Sequence, residues 1–234
     1  MNCSRDRELD YRIIRSRRRT ADIVIERDGS IVVRAPHHVD DAGVAQLVDA
    51  RRYWIHRSLA EWREANASRV TRDYRSGESF PYLGRNYRLS LVADQPEPLL
   101  LKNGRFLLCR DLLSGDSPHA ARNAFRHFYQ QKGEPRLARR VAHHAPLVGV
   151  RPGTVTVRDL GFRWASCSPS GNLAFHWKCL MAPLTVIDYL VVHELCHFHH
   201  RDHSEDFWNE VDKVLPRYRE RRAWLRQHGA SLDL

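Results

Sequence analysis

The sequence predicts an α+β fold in two parts, a β-rich region with two helices over residues 1–149 and a region over 150–234 organised around one histidine-rich helix. Three observations carry this. Short runs of Val, Ile, Tyr and Thr bounded by Gly, Pro, Asn and Asp recur through the chain, the mark of strands joined by tight turns. From Pro183 onward, Leu184, Ile187, Leu190, Val191, Leu195 and Phe198 return at three- and four-residue steps, the period of a helix. That helix runs into His193-Glu194-Leu195-Cys196-His197-Phe198-His199-His200-Arg201-Asp202-His203, where five of eleven residues are histidine.

In chain order, Tyr11 to Ile14 and Ile23 to Glu26 read as strands. Arg27-Asp28-Gly29-Ser30 then turns the chain into Ile31 to Arg34, and Pro36 closes the unit. Val44, Leu47, Val48, Trp54, Ile55, Leu59 and Trp62 predict one helix from about Asp41 to Ala65. A strand follows around Tyr82 to Leu91, and Asn103-Gly104 joins Leu99–Lys102 to Phe106–Cys109 as a two-residue hairpin. Ser117 and Pro118 suit the cap and first turn of a second helix carrying Ala121, Ala124, Phe125 and Phe128. Gly133 and Pro135 predict a kink there, or a restart toward Leu137 and Val141.

Beyond residue 150, alternation through Thr154–Val157 gives a strand, and Gly161 to Ser166 a second. Ser168-Pro169-Ser170-Gly171 turns into a third, Leu173 to Lys178. Alternation there places Leu173, Phe175 and Trp177 in the core, and Ala174, His176 and Lys178 on a face open to solvent or substrate. Helices from about Glu205 to Leu215 and Tyr218 to Gln227 pack Phe207, Val211 and Trp224 inward, with Gly229 as the stop.

His193 and His197 stand four residues apart, so both imidazoles project from one helix face and can share a metal ion. Glu194, next to the first histidine, occupies the place of the general base in zinc hydrolases with H-E-x-x-H. The third ligand is expected at His203, held at a corner where Ser204 caps a new helix with Glu205 and Asp206 in its first turn. His200 is the rival, but a straight helix would spread His193, His197 and His200 over about 10 Å, too far to surround one tetrahedral ion. Three protein ligands and one open position suit a catalytic Zn²⁺, one per chain. For stabilising a developing oxyanion, His176 and Arg163 are candidates. Cys196 should point away from the metal face as a small buried filler.

Arg163-Trp164-Ala165-Ser166-Cys167-Ser168, Gly171-Asn172, Trp177, Val186-Ile187-Asp188-Tyr189, the His193–His197 motif and His203-Ser204-Glu205-Asp206-Phe207-Trp208 together resemble the YgjP-like metal-dependent hydrolases. The resemblance extends upstream through Arg15–Thr20, Val33-Arg34-Ala35-Pro36, Trp54-Ile55 and Tyr82-Leu83-Gly84-Arg85-Asn86-Tyr87-Arg88-Leu89. That group is metallopeptidase-like and related to SprT-like and zincin proteins. The resemblance therefore implies a zincin-like catalytic domain with Glu194 as general base in the hydrolysis of a peptide amide. Some of its members are assigned nucleoside triphosphate pyrophosphatase activity, with UTP as an example, which gives a second reading. A third is a nucleic-acid-associated protein with a structural metal site. Ala165 stands where the group has Gly, and His176 where it usually has Asn, departures that bear on substrate rather than metal.

The chain carries 38 Lys and Arg against 28 Asp and Glu, a net charge of +10, with arginines clustered at 15–19, 136–140 and 217–222. That excess suits an anionic partner, though nothing resembles a base-reading motif. A Gly-rich phosphate loop is missing, and histidine ligands suit zinc better than Mg²⁺, so a peptide or protein substrate is expected ahead of a nucleotide. A peptide lying antiparallel to Leu173–Lys178 would reach the metal by strand addition. Five cysteines without C-x-x-C spacing read as reduced thiols. With no apolar run of eighteen residues and no apolar leader at Met1–Asp6, the expectation is no membrane span and a cytoplasmic protein.

Overall fold

In a computed structural model the described residues are 9–25, 29–67, 72–114, 119–161 and 163–234. Among them are six α-helices and three sheets, an α+β architecture. The chain divides into two compact units, Met1–Ser68 and Arg69–Leu234, so the boundary expected between 149 and 150 falls inside the second unit.

In the first unit β1 (Tyr11–Ser16), β2 (Asp22–Ile25) and β3 (Ile31–Pro36) form a sheet of order β1-β3-β2. β2 and β3 are antiparallel, as the turn predicts, whereas β1 runs parallel to β3. The central strand is buried on both faces, which is why Ile31, Val32, Val33 and Ala35 form a nearly continuous apolar run. The turn residues 26–28 lie outside the described residues, as does the Trp62 side chain. The single helix expected over 41–65 is two, α1 (Asp41–Ala50) and α2 (Arg52–Ala67). Arg51 between them has φ −107° and ψ 8°, yet its N–H still bonds the Leu47 carbonyl and Ile55 N–H still bonds its carbonyl. The ladder therefore bends without parting. Asp40 caps α1 by accepting from Gly43 N–H at 2.8 Å.

The second unit begins with β4 (Ser79–Tyr82), β5 (Arg85–Val92), β6 (Leu99–Lys102) and β7 (Arg105–Cys109), ordered β4-β5-β7-β6. Asn103 and Gly104 take positive φ at the β6–β7 turn, as their chemistry predicts. The strand expected around Tyr82 to Leu91 is instead the β4–β5 hairpin turning at Leu83-Gly84. Then comes α3 (Ala120–Val148), 29 residues long and unbroken at Gly133 and Pro135. A proline in mid-helix costs about 3 kcal/mol. Here Phe125, Phe128, Tyr129, Leu137 and Val141 of one helix are all buried in the same core, which offsets it. Ser117 and Pro118 lie outside the described residues, and His119 holds the N-cap position without a side-chain bond.

A three-stranded sheet follows, β8 (Val155–Arg158), β9 (Ala165–Cys167) and β10 (Leu173–His176), ordered β8-β10-β9, then α4 (Leu184–Cys196), α5 (Glu205–Val214) and α6 (Tyr218–His228). Two expectations about β10 are corrected. It ends at His176, after which Trp177–Met181 form a 3₁₀ turn, and no face of it is open: Ala174, His176 and Lys178 are all buried. As the central strand it has partners on both sides, so its alternate residues face packed layers rather than solvent. Buried Lys178 is paired with Asp233 at 2.7 Å. Gly229 follows α6 in right-handed geometry, and a Cβ there would meet the Trp164 ring at 2.9 Å, so close approach selects the glycine rather than a left-handed cap.

α4 is buried on nearly every side, with Val186, Ile187, Tyr189, Leu190, Val191, Val192, Leu195 and Cys196 in the core. Cys196 is the buried filler expected of it. An ion pair fixes the helix to α3: Arg140 Nε donates to Asp188 Oδ1 at 2.6 Å, with His144 Nε2 3.4 Å from the same oxygen. The β4–β5 hairpin holds its start. Leu83 N–H bonds the Leu180 carbonyl at 2.7 Å and Gly84 N–H the Met181 carbonyl at 3.3 Å. Gly84 has φ +76°, and a Cβ on it would lie 2.8 Å from Pro183 Cα, the N-cap of α4. Gly84→Ala is therefore expected to destabilise the protein by about 2–4 kcal/mol, from left-handed strain and overpacking together. Denaturant titration checks this; a change under about 0.5 kcal/mol would mean the hairpin tip is not pressed against the helix.

Candidate metal centre

α4 delivers His193 and Glu194 in its last turn, and His197 sits at its C-cap position. The chain then reverses so that His203 returns beside them just ahead of α5. Nitrogens of His193, His197 and His203 lie within 4.8 Å of one another. His193 Nε2 and His203 Nε2 are 3.0 Å apart, near the separation of about 3.3 Å set by a tetrahedral zinc with bonds of about 2.0–2.1 Å. His200 is not in this group; its Nε2 points to Glu210 at 4.0 Å.

The donor set fits a metal chemically as well as spatially. His197 Nδ1 lies 2.9 Å from the His200 carbonyl, which accepts its proton and leaves Nε2 as the lone-pair nitrogen. Burial beside His197 and His203 pushes the His193 pKa down to about 3, and burial likewise lowers that of His203. Both shifts favour the neutral imidazole, the form that binds metal. The exception is His193 Nδ1, which is buried without a hydrogen-bond partner.

Aromatic rings wall the triad. Phe207 packs at 5.0, 4.7 and 4.9 Å from the rings of His193, His197 and His203, and Trp208 stacks on His203 at 5.6 Å. Both sit in the first turn of α5. Ser204 is its N-cap residue but makes no capping bond; instead its N–H donates to Asp202 Oδ1 at 3.3 Å.

Glu194 is buried, 6% exposed. Burial raises its pKa to about 8, against the pull of a hydrogen bond from the Cys167 backbone N–H and the charge of Arg163. Cys167 lies on β9, so an edge strand borders the carboxyl. Its contribution comes through the backbone, which no side-chain pattern announces. Of the two oxyanion candidates, exposed Arg163 acts on Glu194, whereas His176 is only 1% exposed. His176 Nδ1 accepts from Lys178 N–H at 3.1 Å and its Nε2 faces Asp159 at 3.4 Å, so it serves the sheet.

Some arginines of the basic clusters are engaged in ion pairs. Arg15 pairs with Asp41, Arg18 with Asp22 at 2.7 Å, Arg140 with Asp188 and Arg217 with Glu220 at 2.8 Å. Among the described residues no helix is long and apolar enough to cross a membrane.

Among solved structures, the metallopeptidase zymogen of Pyrococcus abyssi abylysin is 28% identical to this chain. The match covers 38% of this chain and 93% of that one, with a TM-score of 0.36. None of the curated proteins compared with the chain matches it. Residues 19–228, nearly the whole chain, match the family described as YgjP-like, metallopeptidase domain, and on that match the chain belongs to the YgjP-like family.

Proposed function

We propose that the chain is a zinc-dependent hydrolase of peptide amides, with His193, His197 and His203 as ligands of one Zn²⁺ and Glu194 as general base. The observation that carries this is the gathering of three imidazoles, two from the end of α4 and one from the bend after it, beside a buried carboxyl. Bound there, zinc would supply Lewis acidity, acidifying a water and polarising a carbonyl. Glu194 takes a proton from the attacking water on its carboxylate oxygen and passes it to the leaving nitrogen. Burial of the carboxyl keeps it out of bulk water beside the triad, where it can hold a proton in transit. The Cys167 N–H keeps it oriented, and Phe207 and Trp208 exclude bulk water from one side of the triad.

The substrate strand belongs on β9 rather than on β10, because β10 has both neighbours in place and β9 is the edge strand whose Cys167 N–H meets Glu194. The hydrolytic machinery lies wholly in the second unit, in residues 150–234.

The test incubates zinc-loaded protein with a denatured-protein pool and, separately, with a panel of nucleoside triphosphates. Peptide cleavage that disappears on chelation and returns with zinc is expected. Pyrophosphate release without peptide cleavage would overturn the reading.

A further inference from the structure

The arginines of 217–222 do not all share one fate. Arg217 pairs with Glu220, and Arg219 lies over the Tyr218 ring with Asp212 at 3.9 Å. Arg222 differs: it is exposed and has no carboxylate partner among the described residues. Its guanidinium carbon sits 4.5 Å from the centre of the Trp208 ring. That indole stacks on His203 at 5.6 Å and 22°, lies 5.8 Å from His193, and stacks on Tyr218 at 5.3 Å and 11°. A cation is thus laid on a rigid aromatic platform one ring away from the triad.

We propose that Arg222 recognises a carboxylate of the substrate, so that the chain prefers peptides with an acidic group close to the bond it cuts. This rests on the hydrolase reading above. A guanidinium held over an indole by its carbon can still present N–H groups outward, and a guanidinium edge matches a carboxylate bidentately. Stacking also orders the side chain beforehand, so less entropy is lost on binding. The surrounding charges are mixed, with Glu205 and Asp206 exposed in the first turn of α5 and basic residues on the other elements. The placement of Arg222 over Trp208, rather than the net charge, therefore carries the assignment. Exposed Arg163 acts on Glu194 and exposed Arg201 on Cys167, while of the nearby carboxylates Asp202 accepts from Ser204 N–H. The charge of Arg222 is itself felt at His193 and His203. The carboxylate could come from an Asp or Glu side chain or from a free C-terminus, and the experiment separates these.

Zinc-loaded Glu194→Gln protein serves as a binding platform that does not consume its ligand. Fluorescent blocked heptapeptides carry Glu, Gln or Lys at each position in turn, and each is made with a C-terminal amide or a free carboxylate. At one position Glu is expected to bind about tenfold tighter than Gln and tighter still than Lys, an advantage eroded by salt. Adding Arg222→Gln should bring the Glu-to-Gln ratio within about twofold, and Arg222→Lys should keep only part of it, because an ammonium retains the charge but not the two-pronged N–H edge. An advantage confined to free-carboxylate peptides assigns the group to the C-terminus, and one seen in amidated peptides assigns it to a side chain; either supports the proposal. No discrimination at any position, an unchanged ratio in Arg222→Gln, or an equal loss for all three peptides would overturn it, the last meaning that Arg222 only props Trp208. Arg222-dependent binding without cleavage by the unsubstituted protein would sink the hydrolase reading alone, and cleavage without an Arg222-dependent preference would sink this inference alone.

Discussion

Glu194→Gln is expected to lower peptide turnover by about two to four orders of magnitude while zinc content stays at one per chain, the range for loss of a general acid–base group. Glutamine preserves the shape and can still accept the Cys167 N–H, but it cannot hold the proton in transit. Zinc content by elemental analysis and kcat/KM on a single peptide decide it; a zinc-free variant would show that Glu194 is a ligand. The same substitution has an opposite, pH-dependent effect on the metal-free fold. Glu194 binds its proton more tightly folded than unfolded, with a pKa raised from 4.5 to about 8. Its contribution to stability is therefore complete below about 4.5 and lost as pH rises through about 8. Metal-free Glu194→Gln should unfold at a progressively higher temperature than the unsubstituted chain between pH 5 and pH 9. His193 acts in the other direction: its pKa is depressed from 6.5 to about 3, and its contribution is lost as pH falls through that window.

The other large effect concerns the ligands. His193→Ala, His197→Ala and His203→Ala should each bring bound zinc from one per chain to nearly none after dialysis against a weak chelator, with activity lost alongside. His200→Ala should keep the metal, because only its backbone carbonyl touches His197. Retention of zinc by His203→Ala together with loss in His200→Ala would reverse the assignment of the third ligand.

The metal helix and the hairpin at Asn103-Gly104 were legible because each rests on local rules: helical period, and turn residues suited to positive φ. The grouping of His193, His197 and His203 was legible for the same reason, since all three lie within one helix and the bend after it. What depended on distant partners was not. Strand alternation treated β10 as half-exposed because a sequence does not show which strand will be central. Pro135 signalled a break because the tertiary burial that overrides it is not a local property. The Cys167 N–H that meets Glu194 carries no side-chain signature, and Arg222 was one arginine among several until the fold set it on Trp208.

The short tether between the ligands has a kinetic consequence. His193 and His203 are ten residues apart, so bringing them together closes a small loop at low entropic cost. The elements that border the triad and Glu194 come from further away: β9 lies before the 3₁₀ turn, and α6 follows α5. The histidine triad can thus close early in assembly, from one stretch of chain, whereas the full proposed site waits for the sheet edge and the final helix to dock.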